Sequence, residues 1–199
     1  MTEEIRKLTA LEAIRCRPAM YVRQDESGSI PDQLLQSSMC HPLAELSCGT
    51  ASSLSVTVRG ITASVSDDGM GWPVHQVAGG HRFAEILLMD LYACRDHKQH
   101  ADLARSLCRI TLPVVVALSA VFTLDIHRQG EHWQQTYHSG ASDGPLSMVG
   151  SSAKSGTTLS FTLDPEFCDG AEFSTSALSA WIATLGKTVP SNAISISHT

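Results

Sequence analysis

The chain has 199 residues and 21.4 kDa, of which 43% are hydrophobic and 17% charged, with a mean hydropathy of +0.01. This is the size of one domain with enough apolar material for a core, and too little charge for a disordered polymer. Fourteen Lys and Arg against 20 Asp and Glu give a net charge of −6, which argues against a nucleic-acid surface built on phosphate contacts.

In chain order, Ile5, Leu8, Leu11 and Ile14 recur at helical spacing, and Thr9 with Glu12 forms a local capping box, so residues 3–16 read as a helix ended before Pro18. Leu34, Leu35, Met39, Leu43 and Leu46 predict a second helical region that stops at Gly49. Pro42 inside it predicts a kink or two short helices. Residues 54–58 and 61–65 alternate with period two around Arg59-Gly60, the pattern of a hairpin with one buried face. The run Asp67-Asp68-Gly69-Met70-Gly71-Trp72-Pro73 then requires a sharply turned loop at a strand end. Helices are expected over 81–93 and 101–120, joined by a polar connector from Cys94 to His100.

The remainder reads as strands at 121–127, 133–138 and 157–163, a serine-rich loop at 150–156, a helix at 174–185 and a last strand at 192–197. The expected fold is α+β, with a mixed or antiparallel sheet covered by helices on one face. The longest apolar stretch, 110–121, is interrupted by Thr111, Pro113 and Ser119 and falls short of the roughly 20 residues of a membrane helix. The polar, acidic start lacks the pattern of a signal peptide, so a cytoplasmic location without membrane contact is expected. Six scattered cysteines without a C-x-x-C pair read as reduced thiols.

Several of these residues carry a resemblance. Leu11-Glu-Ala-Ile-Arg-Cys-Arg-Pro-Ala-Met-Tyr21-Val resembles the opening of the ATPase domain in the DNA gyrase B and topoisomerase IV family, written L-[DE]-A-[VI]-R-x-R-P-G-M-Y-I. The Asp67 to Pro73 loop resembles its D-[DN]-G-R-G-I-P, Ala117-Leu118-Ser119 its N-A-L-S, and the run from Lys154 to Phe161 its [KT]-G-T-x-[VI]-x-F strand. The four motifs stand in family order and extend over essentially the whole chain. The resemblance implies a GHKL (Bergerat-type) two-layer sandwich in which a nucleotide lies between helices and sheet. It implies that residues 1–199 form a single gyrase-B-like ATPase-type domain, without transducer, metal-binding or DNA-gate parts, so strand passage is not expected of these residues.

The family's functional positions carry over one at a time. Asp67 matches the adenine acceptor and Thr157 the threonine supporting it; Gly69, Gly71 and Pro73 are kept. Met70 replaces an arginine, leaving Glu45 without its usual ion-pair partner, and Trp72 replaces a medium aliphatic residue beside the adenine. Ser37 stands where the family has its general base, Cys40 where it has an aspartate, and His41 where it has a magnesium-binding asparagine. Serine lacks the pKa of a base, and magnesium prefers hard oxygen ligands. The glycine-rich phosphate lid is replaced by Arg105-Ser-Leu-Cys-Arg109-Ile-Thr111, expected to continue as a helix to Leu118 and to close the phosphate side.

The resemblance therefore implies a residual pocket at Asp67, Gly69, Gly71, Trp72 and Thr157, with no catalytic residue and no magnesium site. The expected function is a catalytically inactive regulatory or protein-interaction module with no required cofactor and an unidentified protein partner. Binding of ATP or a small planar ligand in the residual pocket is the alternative, followed by an ATPase using other residues. A monomer or constitutive homodimer is expected, with no dimerisation driven by nucleotide. Two further clusters carry competing readings. Ser37, Ser38 and His41 offer hydrolase chemistry or a plain helix surface, and Cys94, His97, His100 and Cys108 offer a zinc site or a polar connector. His127, His132 and His138 read as cross-strand neighbours.

Overall fold

The capping box is present: the Glu12 amide donates to the Thr9 hydroxyl and the Thr9 amide to the Glu12 carboxylate, which starts α1 (Ala10–Cys16) at Ala10. A computed structural model describes residues 7–22, 28–91, 110–186 and 189–198. The helix expected from residue 3 thus begins later, because an N-cap residue takes extended backbone and Thr9 does so at ψ 165°.

The next helical region is split as Pro42 predicts, into α2 (Ile30–Ser38) and α3 (Cys40–Cys48) about Met39. Pro42 has no N–H to offer the Ser38 carbonyl, so the ladder is interrupted where one helix must hand over to the other. Ser29 caps α2 through the Asp32 amide, and Gly49, left-handed at φ 72°, ends α3.

The hairpin consists of β1 (Leu54–Arg59) and β2 (Thr62–Asp67), paired from Leu54↔Asp67 to Arg59↔Thr62 around Gly60-Ile61. A small ribbon, β3 (Val77–Ala78) with β4 (His81–Arg82), occupies the start of the expected 81–93 helix, leaving α4 (Phe83–Met89) shorter. The 101–120 helix is also corrected. Thr111 is extended at ψ 156°, α5 (Leu112–Ala117) begins only after it, and residues 101–109 lie outside the described set.

The remaining strands are β5 (Ser119–Arg128), β6 (Glu131–His138), β7 (Ala141–Ser142), β8 (Ser147–Ser151) and β9 (Gly156–Leu163), followed by α6 (Thr175–Thr184) and β10 (Ile194–His198). β7 and β8 are additional to the strands that the sequence predicts, and β8 takes Gly150 and Ser151 out of the serine-rich loop. The sheet runs β10-β1-β2-β9-β5-β6-β7, with β8 also on β6; β10 is parallel to β1 and every other pair is antiparallel. The sheet is mixed, and the fold is α+β.

Strand alternation separates two faces. Val56, Val65, Phe122, Leu124, Leu159 and Phe161 are buried with Ile14, Leu34, Leu35, Leu88, Val115 and Val116 from the helices. The other face carries hydroxyls that pair across strands: Thr57 with Ser197 at 3.0 Å, Ser64 with Ser160 at 3.1 Å, Ser66 with Thr158 at 2.7 Å. Short side chains bonded to each other suit a partly exposed face. Arg15 ties α1 to the end of α5 and the exit of β9, donating to the Ala117 carbonyl and the Asp164 carboxylate, each at 2.7 Å. Among the described residues, no helix is long and apolar enough to cross a membrane.

Candidate functional site

β2 ends at Asp67, and the chain then turns where glycines allow backbone to approach backbone closely. The Gly69 amide donates to Asp67 Oδ1 at 2.9 Å, and a Cβ on Gly69 would sit 2.9 Å from that oxygen. Gly71, at φ 73°, lies so close to β5 that a Cβ would meet the His127 carbonyl at 2.6 Å. Gly156, at φ 126°, begins β9 against the Asp67 carbonyl, where a Cβ would stand at 2.0 Å. Gly71 and Gly156 are required by backbone approach and Gly69 by the Asp67 carboxylate, whether or not a ligand is present.

The loop is fastened by side chains from distant segments. The Trp72 amide donates to Thr157 Oγ1 at 3.1 Å, and Arg128 Nη1 donates to the Gly71 carbonyl at 2.5 Å and the Met70 carbonyl at 3.2 Å. Arg128 is not among the residues that the sequence singles out: it ends a strand beside Gln129-Gly130, where an arginine reads as an ordinary turn charge. Asp68 anchors the other side, accepting from the amides of Ser52 and Ser53 at 2.7 and 2.8 Å and from the Ser52 hydroxyl. Desolvation opposes ionisation there, but these donors outweigh it and hold the Asp68 carboxyl far below the usual carboxylate range.

Asp67 has the opposite character. It is 7% exposed, and burial pushes its pKa up to about 6, against donors from the Gly69 and Thr157 amides and with help from the negative charges of Glu45 and Asp68. The five residues expected at the pocket, Asp67, Gly69, Gly71, Trp72 and Thr157, are therefore brought into one loop-and-strand contact. In it Thr157 receives the Trp72 amide, and Asp67 receives Gly69.

Trp72 is 6% exposed, and its ring meets His41 at 5.2 Å between centroids, tilted by 57°. The residue at the family's metal-ligand position thus packs on the indole. Ser37 is buried and donates to the Ile110 carbonyl at 2.7 Å, joining α2 to the turn before α5. Ser38 donates to the Leu35 carbonyl at 2.7 Å. Both hydroxyls go to main-chain oxygens and not to His41, and both are buried, which corrects the helix-surface reading as well as the hydrolase one. Met70 is exposed, and the Thr50 hydroxyl donates to the Glu45 carboxylate. A cavity of about 340 Å³ opens at the rim between Thr50, Asp68, Gly69, Met70, Arg128, Gln129 and Ser155.

The helix expected to run on to Leu118 is interrupted at Ile110 and Thr111, which are not helical; Arg105 and Arg109 lie outside the described residues. The Cys94, His97, His100 and Cys108 cluster lies outside them too, and among the described residues no group of three or more His, Cys, Asp or Glu is placed to hold a metal. His127 and His132 stack at 4.3 Å as register partners, with His132 bonded to Asp125 at 2.8 Å, whereas His138 pairs with Asp143 at 3.1 Å.

No protein-family model matches the chain. It is 29% identical over 183 residues to the B subunit of DNA gyrase from Clostridium acetobutylicum, covering 88% of this chain and 28% of that protein. Over 177 residues it is 30% identical to the B subunit of the type 2 topoisomerase from Aquifex aeolicus, covering 85% and 22% of the two chains. Over 181 residues it is 28% identical to the B subunit of DNA topoisomerase 4 from Pseudomonas aeruginosa, covering 88% and 28%. The chain is similar to the B subunits of gyrase and topoisomerase 4. It spans less than a third of the length of these relatives, and its mixed sheet under helices is compatible with the GHKL sandwich that the resemblance implies. In this chain the loop from Asp68 to Trp72 and the Gly156-Thr157 strand start contact each other, and ahead of the hairpin Ser37 is bonded to the Ile110 carbonyl and His41 rests on the Trp72 ring.

Proposed function

We propose that this gyrase B-like chain does not hydrolyse ATP and acts as a regulatory or protein-interaction module. The observation that carries the reading is the hydrogen bond from Ser37 to the Ile110 carbonyl. At the position the resemblance assigns to the general base stands a buried hydroxyl donating to the main chain, and an alcohol in that role has no proton affinity near neutral pH with which to activate water. His41, at the assigned metal position, rests on Trp72, and imidazole is a poor magnesium ligand. The module works in the cytoplasm, through protein contacts, with neither magnesium nor nucleic acid required.

Turnover of ATP by the pure protein with magnesium is expected to equal that of buffer. A magnesium-dependent rate abolished by Asp67→Asn would overturn the reading; Ser37→Glu alone is not expected to restore activity, and a gain from it would show that the phosphate site is intact.

A second reading, binding of a small uncharged planar ligand against Asp67 and Thr157, is supported by the buried carboxyl at Asp67, which accepts from the Gly69 amide. A buried carboxylate accepts from a neutral donor and repels the like charge of a triphosphate. Calorimetric titration with ATP, ADP and adenosine separates the readings: adenosine binding without a gain from phosphates supports the second, and no heat with any of them supports the first.

A further inference from the structure

β8 is an edge strand that carries neither charge nor proline. It pairs with β6 on one side, through Ser147↔Gln134, Met148↔Trp133, Gly150↔His132 and Ser151↔Glu131, and no described strand pairs with its other side. Natural edges are commonly blunted by lysine, by proline, by inward charges or by bulges, and of these β8 has only a bulge. Here residues 144–153 contain no ionisable side chain, and the nearest proline, Pro145, precedes the strand. Met148 is 57% exposed and Val149 52% exposed, on adjacent positions of the same strand. A bulge between His132 and Trp133 leaves Val149 without a register partner on β6.

We infer that the free edge of β8 pairs antiparallel with β8 of a second copy of this chain, about a two-fold axis through Val149. An isologous contact places each residue against its own symmetry mate or the mate of a neighbour, so the surface must complement itself. Centred on Val149, the register sets Val149 against Val149, Met148 against Gly150, and Ser147 against Ser151. Each match is favourable for a separate reason. A β-branched pair packs well at the centre. The long Met148 side chain finds a residue with no side chain across from it. The serines repeat the hydroxyl pairing already used inside the sheet at Thr57 with Ser197 and Ser66 with Thr158. A charge near the axis would confront its own copy, and the edge carries none. Another protein's strand would exploit the same backbone groups, but it would not require this internal matching. Five residues of strand make a small interface, so the dimer is weak and depends on concentration.

Sedimentation of the full chain across roughly a hundredfold range of concentration tests this, alongside amide exchange of residues 147–151 at both ends of the range. The parent is expected to move from monomer to dimer, with slowing of exchange along β8. Val149→Lys, which opposes two like charges on the axis, is expected to weaken association at least tenfold, while Val149→Thr leaves it within about twofold; circular dichroism confirms each fold. A parent that stays monomeric overturns the proposal. So does a dimer whose β8 amides exchange equally fast at both concentrations, an outcome that needs no variant to fold.

Discussion

The Trp72 amide donates to the Thr157 hydroxyl across 85 residues of sequence, at 3.1 Å and fully buried. The threonine that the resemblance places under an adenine thus also secures the loop, and the loop's conformation depends on it. Thr157→Val keeps the side-chain shape but leaves the Trp72 N–H without an acceptor. It is expected to cost about 1–3 kcal/mol, the usual penalty of an unsatisfied buried donor. Urea unfolding measures the loss, and Thr157→Ser is expected to recover most of it. Equal stability of the Val and Ser variants would contradict the assignment.

Asp67 gives the molecule an unusual pH dependence. Its folded pKa of about 6 stands above the ordinary value of 3.8, so the folded state binds the proton more tightly than the unfolded chain does. By linkage, this contribution is fully present below the unfolded pKa and is lost as pH rises through about 6. Its size is on the order of 3 kcal/mol. Subtracting the unfolding free energies of Asp67→Asn from those of the parent, from acid to neutral pH, isolates it. The parent is expected to lose ground to the variant as pH rises through that window; a flat difference would exclude a raised Asp67.

Trp72 fills space beside Asp67. Trp72→Ile removes the indole and its contact with His41, and is expected to cost about 1–3 kcal/mol of stability. If the cavity it opens reaches Asp67, adenosine-like or coumarin-like planar ligands bind the variant roughly tenfold to a hundredfold more tightly than the parent. Calorimetry on both proteins, with the fold confirmed, decides the matter. Equal or weaker binding by the variant shows that the indole is not what limits the pocket.

Arg15 binds three parts of the chain at once: the Ala117 carbonyl, the Asp164 carboxylate and the face of Phe167 at 4.9 Å. The hydrogen bond from Arg15 holds the Asp164 pKa below its usual value. That contribution is present above the ordinary carboxylate range and is lost as pH falls through the folded value. Arg15→Met is expected to cost about 1–3 kcal/mol at neutral pH, with a smaller deficit in acid. A double-mutant cycle with Asp164→Asn gives the coupling, and additivity of the two changes would show that the pair contributes nothing.

Nucleotide is not expected to change the association state. Sedimentation with and without ATP checks this, and a shift from monomer to dimer on adding ATP would contradict the expectation.

Much of the frame is decided by neighbours in sequence. Thr9 and Glu12 start α1 because both halves of the capping box lie three residues apart, and Pro42 divides α2 from α3 because its missing donor acts on the preceding turn. The alternation of β1 and β2 sets which face is buried, since the side-chain period of a strand is fixed by its backbone. The motifs around Asp67 and Thr157 likewise mark the residues that the fold brings together. Other features depend on partners far along the chain. β7 is too short to declare itself and β8, Ser-Met-Val-Gly-Ser, lacks a clear alternation, and both exist because β6 offers an edge; β10 is held parallel to β1 by pairing across the whole domain. The 101–120 pattern promises helix to its end, yet Thr111 is extended and Ser37 bonds the carbonyl just before it. Arg128 becomes part of the site only because β5 ends beside Gly71. Local propensities determine where elements begin and which face they bury, but the commitment of a hydroxyl, a carbonyl or a guanidinium is settled by which distant group the fold brings within hydrogen-bonding distance.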